Sequence, residues 1–122
     1  MRIASVIVLI CAGLAVFAGC DKKPANNSEA MARVNAAIEM TNLGERDEAL
    51  GSACRSAAKA GAVDAVQKAL SNITNLNARD EAASDSAIAL HDCGQRAAAT
   101  EVAKTIINLN QRDKILKKLA SS

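Results

Sequence analysis

At 122 residues the chain has room for one small domain and no large core. Hydrophobic residues make up 50% of it, much of this alanine, and the single aromatic is Phe17, so beyond that position aromatic cages and base-stacking platforms are excluded. With 15 basic and 13 acidic residues, the net charge of +2 is too small for a nucleic-acid footprint.

In chain order, the first element is an uncharged apolar stretch, residues 3–18, which follows Arg2 and has the pattern of a secretory signal. It is shorter than the ~20 residues that span a bilayer comfortably. The sequence "FAGC" at 17–20 then places two small residues before a cysteine, and it resembles the bacterial lipoprotein signal. That resemblance implies cleavage between Gly19 and Cys20, diacylation of the Cys20 thiol and acylation of the new amino group. Several acyl chains hold a membrane far better than one. Asp21 resembles the residue that keeps lipoproteins of enteric-type bacteria in the inner membrane. The expected address is therefore the cell envelope, lipid-anchored, with the inner membrane facing the periplasm favoured over the outer membrane. Residues 20–28, polar and containing Pro24, read as a short tether.

From residue 29 onward the chain repeats itself. "NLGERDEA", "NLNARDEA" and "NLNQRDKI" begin at Asn42, Asn75 and Asn108, 33 residues apart. Between them Ala49, Leu50, Ala53, Ala57 and Ala60 form one helical stripe, and Val66, Ala69, Leu70 and Ile73 a second. Gly61 and Gly94 stand where a first helix must stop, free to take the left-handed conformation. Asn77 and Asn110 read as N-caps with an acid three residues on, Gly44 filling that place in the first copy. The leucine of each copy is expected to seal the seam between hairpins.

This alternation resembles the tetratricopeptide (TPR) repeat over residues 29–120. On that resemblance Leu50, Ala53, Cys54 and Ala57, then Ala83, Ser86, Ala87 and Leu90, fill the core positions of first helices, while Leu116, Leu119 and Ala120 begin a third set. Val66, Leu70 and Ile73, then Ala99, Ala103 and Ile106, fill those of second helices. The family's tryptophan, tyrosines and terminal proline are missing, and each unit is one residue short. Ankyrin repeats share the period, but their "TPLH"-type turn is not found. The expected fold is all-α, a short array of about five or six antiparallel helices. So much alanine buries little area per contact, which implies marginal stability.

Residues capable of chemistry are few. His91, Asp92 and Cys93 are consecutive, and neighbours on a helix point apart, so they are not expected to hold a metal. Cys93 is expected to pack behind Gly94, with His91 and Asp92 facing solvent. Cys54 and Cys93 lie out of phase by about two helical turns, and both are expected to stay reduced. Asp47 with Glu48, and Asp80 with Glu81, read as helix-start acids that suit the dipole. Arg46, Arg79 and Arg112 read as bridges to the preceding helix end. The basic run Arg112 to Lys118 suits a solvated helix end. No enzyme, cofactor or small-molecule substrate is expected.

In the TPR family, ligands lie along the outward faces of first helices. Here the resemblance implies a partner groove of Glu48, Gly51, Arg55, Lys59, Glu81, Ser84, His91, Asp92, Lys114 and Lys117. Its mixed charge and scarce apolar anchors imply weak, salt-sensitive binding. The expected function is a membrane-tethered adaptor for a protein partner in the envelope, in secretion, pilus or conjugation machinery. The alternative is an exclusion or immunity lipoprotein of a mobile element, blocking a phage, plasmid-transfer or toxin component.

Overall fold

The structure is a computed structural model that describes residues 24–122. Gly19, Cys20 and Asp21, the expected cleavage, lipidation and sorting positions, lie outside the described residues. Six helices follow in order: α1 (Pro24–Ile38), α2 (Leu43–Lys59), α3 (Val63–Asn72), α4 (Leu76–Asp92), α5 (Arg96–Lys104) and α6 (Leu109–Ala120). They pack as adjacent antiparallel pairs, all-α as expected, and none is long and apolar enough to cross a membrane. First helices α2, α4 and α6 start one period apart, and second helices α3 and α5 return alongside them. The stretch read as tether turns helical at Pro24, a residue whose missing N–H costs nothing in a first turn.

The glycine turns form as the sequence requires. Gly61 and Gly94 are the positive-φ positions among the described residues, at 76° and 86°. Around Gly61 the Ala62 N–H donates to Ala57 O and the Gly61 N–H to Ala58 O, which closes α2; Gln95 to Leu90 and Gly94 to His91 repeat this after α4. An L-residue at either glycine would be strained, whatever the space around it.

The helix starts differ from expectation by two residues. The caps are Asn42, Asn75 and Asn108, whose side chains accept from the backbone N–H of Glu45, Ala78 and Gln111 at 3.0 Å each. Gly44, Asn77 and Asn110 are already inside the first turn. The leucines do not seal the seam either. Leu43, Leu76 and Leu109 are 56%, 53% and 60% exposed, because as first helical residues they project back over the turn, beyond the packed faces. Ile73 and Ile106, buried just before the caps, close the hydrophobic side of each seam.

The core is contiguous and dominated by alanine, with Leu50, Leu90, Ile106, Val34, Val66 and Val102 its largest fully buried side chains. The first-helix sets Leu50, Ala53, Cys54, Ala57 and Ala83, Ser86, Ala87, Leu90 are buried, and so are both second-helix sets. In α6 the pattern changes. Ile115 is the buried residue there, Leu116 and Leu119 are only half-covered, and Ala120 is exposed.

Candidate functional site

The most informative polar groups are two aspartates on the packed face of first helices. Asp47 and Asp80 are buried. Asp47 accepts from the Thr74 N–H at 2.9 Å, the Thr74 hydroxyl at 2.8 Å and the Asn75 N–H at 2.9 Å. Asp80 accepts from the N–H groups of Ile107 and Asn108 at 2.9 and 3.0 Å. Each carboxylate thus clasps the entry to the next first helix, 27 to 28 residues downstream. It does not serve the start of its own helix, as the dipole reading had it. Burial raises the Asp47 carboxyl, but the hydrogen bonds from Thr74 and Asn75, with Arg46 beside it, outweigh burial and leave its pKa below the ordinary carboxylate value.

The arginines of the repeated motif are also placed differently. Arg79 donates to Thr105 O at 3.3 Å, which is the end of the following helix α5 and not of the preceding one. The Nε atoms of Arg46 and Arg112 are buried without a hydrogen-bond partner.

Between α2 and α4 lies a groove of about 620 Å³. It gathers Glu48, Gly51, Arg55 and Glu81, four of the residues placed in a groove from the sequence. Gly51 makes room here, since a Cβ would sit 3.3 Å from the Arg55 guanidinium. Arg55 Nε in turn donates to Asp85 at 2.8 Å, an ion pair joining α2 to α4. With Asp47 turned into its clasp and Arg55 engaged by Asp85, Glu48 and Glu81 are the exposed charges left to face a ligand in the groove. The groove therefore favours a cationic occupant.

The other groove residues scatter. Lys59, Asp92, Lys114 and Lys117 are exposed but do not line this space. Ser84 is buried: its hydroxyl donates to Asp80 O at 2.9 Å and accepts from the Gln111 amide at 2.8 Å, because α6 packs over it. His91 is not solvent-facing, for its side chain is only 10% exposed, with Nδ1 3.9 Å from an Asp92 carboxylate oxygen.

Cys93 directs its thiol toward the carbonyls of Ala58 and Lys59 at 3.7 and 3.3 Å. Cys54 is fully buried, 3.1 Å from the Ser86 hydroxyl. Burial pushes its thiol up to about 11, against a smaller opposing effect of the Ser86 hydrogen bond. No disulfide joins the two cysteines, and among the described residues no three His, Cys, Asp or Glu side chains converge as metal ligands would.

The sequence signal for the clasps was present. Asp47 stands three and seven residues before Leu50 and Cys54, on the same helical stripe, and an acid on a buried stripe must find donors. Comparison with family models, curated proteins and solved structures found no match.

Proposed function

We propose that the protein is a small lipid-tethered interaction module of the bacterial envelope, anchored through Cys20, with TPR-like helical hairpins that hold a basic segment of a protein partner. The observation that carries the reading is the groove between α2 and α4, where Glu48 and Glu81 remain exposed while the neighbouring Arg55 and Asp47 are engaged by the scaffold. A first-helix groove with acids one period apart suits an extended chain bearing lysine or arginine. Its polar lining and small scale suit transient capture better than permanent assembly. The "FAGC" motif supplies the anchor, and the apolar stretch before it supplies export.

Two measurements test the parts separately. Palmitate labelling in a bacterial host should mark the wild-type chain and not Cys20→Ser; equal labelling would remove the anchor. Capture of partner proteins from solubilised membranes should be lost with Glu48→Lys combined with Glu81→Lys, and weakened for the wild type by raising salt from about 0.1 M to 1 M, where the Debye length falls to ~3 Å. The same proteins retained by the double variant would exclude the groove.

A further inference from the structure

The described residues begin on a second-type helix and close on a first-type one, and the two exposed ends are complementary. No first helix precedes α1 among them, and no second helix follows α6. The open face of α1 and α2 is a groove of about 500 Å³ lined by Arg33, Ala36, Ala37 and Met40 from α1 and by Ala49, Ser52, Ala53 and Ser56 from α2. One period later, the equivalents of those α2 positions are Ala82, Asp85, Ser86 and Ala89, and of these Asp85 and Ser86 meet Arg55 and Cys54 of α2. The groove thus corresponds to the place that a first helix holds one period later. Ser28 stands where Gly61 and Gly94 reverse direction, and α1 runs straight through it.

At the opposite end, Leu116, Leu119 and Ala120 hold positions whose equivalents Leu50, Ala53 and Cys54, or Ala83, Ser86 and Ala87, are all buried. In α6 they are half-covered or exposed. Among the described residues no second helix packs on that face of α6.

We infer that α6 of one copy docks into the α1–α2 groove of another, continuing the 33-residue array head to tail across the junction. The contacts already made within the chain, advanced by one period, specify what would meet. The Asp47 and Asp80 clasps become Asp113 accepting from Thr41 and Asn42 of the next copy. Those residues repeat Thr74 and Asn75, and their N–H groups and the Asp113 carboxylate have no partner within the described residues. The Gln111–Ser84 contact becomes Glu45 against Lys117, an opposite-charge pair. The Arg79–Thr105 contact becomes Arg112, whose Nε is buried and unsatisfied, reaching the backbone of Glu39. The Cys54–Ser86 contact becomes Ala120 against Ala53, small against small. Charge, size and hydrogen-bonding sense agree at every position. Such a head-to-tail interface is heterologous, and it adds copies one after another unless the rotation per copy closes a ring. It borders the α2–α4 groove at Ser52, which lines both.

The test uses full chains in detergent, one carrying Ser121→Cys and the other Ser52→Cys, both exposed positions that the shifted Arg55–Asp85 contact brings together. A short bis-maleimide linker applied to the mixture should give a 52–121 product identifiable by mass. Adding Lys117→Glu to the Ser121→Cys chain, or Glu45→Lys to the Ser52→Cys chain, should weaken association about fivefold, the scale of turning an exposed ion pair into a repulsion. With both reversals present the product should return to the original yield. No 52–121 product at any concentration, or a product indifferent to the reversals, would overturn the inference. The first of these results would leave the groove to another segment or partner.

Discussion

Replacing Asp47 by alanine removes three hydrogen bonds at once, two of them from backbone N–H groups at the entry to α4. A hydrogen bond to a charged group contributes about 1.5–3 kcal/mol, but Thr74 and Asn75 are exposed residues, so water recovers part of each loss. A net cost of about 2–4 kcal/mol follows, large against the ~5–15 kcal/mol total of a domain. The fragment 24–122, unfolded in urea and followed by helical circular dichroism, should lose about 1–4 M in midpoint, at a slope of ~1–2 kcal/mol per M. Asp113→Ala supplies an internal control. It deletes the same residue of the third motif copy, which is exposed and clasps nothing among the described residues, so dilute protein should change by less than about 0.5 kcal/mol. Equal losses for the two variants would refute the clasp, since helix-start electrostatics would then account for both. The pH dependence adds a second readout. The folded-state pKa of Asp47 is lowered, so its contribution is fully present above the unfolded value of about 3.9 and disappears as pH falls through the folded value. Asp47→Asn should flatten that part of the acid limb while leaving the slope between about pH 5 and 7 unchanged.

Three other outcomes follow from the same geometry. Asn75→Ala should destabilise by about 1 kcal/mol and Asn77→Ala by much less, measured by thermal melts of the same fragment, because only Asn75 caps α4; the reverse order would restore the cap to position 77. Cys54 should resist maleimide in the folded protein even at pH 9, its thiol pushed up to about 11, and both Cys54 and Cys93 should label once unfolded without reductant; rapid native labelling of Cys54 would show that its site opens. The fragment should melt below about 80 °C, given how little area each alanine contact buries, and a cooperative transition above that would contradict marginal stability.

What could be read in advance depended on whether the cause was local. Gly61 and Gly94 were legible because a chain reversal needs a residue tolerant of positive φ, and the alternating stripes were legible because burial follows helical period. The choice between Asn75 and Asn77 was not local. Both can cap, and assigning Leu76 to a buried seam displaced the cap by two residues, whereas the seam is closed by Ile73 and by the Asp47 clasp. The place of Asp47 on the buried stripe showed that it needs donors, but donors 27 to 28 residues away leave no short-range trace. The groove was half legible for a similar reason: Glu48, Arg55 and Glu81 face outward along their own helices, but Ser84 lies under α6, whose packing angle no period reveals. His91 was likewise covered by its neighbours.

The clasps also set how far disturbance travels along the array. In a stack of alanine-lined hairpins, neighbours would otherwise communicate mainly through weak dispersion contacts and the exposed Arg55–Asp85 ion pair, and each could open nearly by itself. A carboxylate that must bind the next unit's entry ties the ordering of α4 to that of α2, so the hairpins order together. Neutralising Asp47 shortens that coherence, and the melting of one body becomes the separate loosening of its pieces.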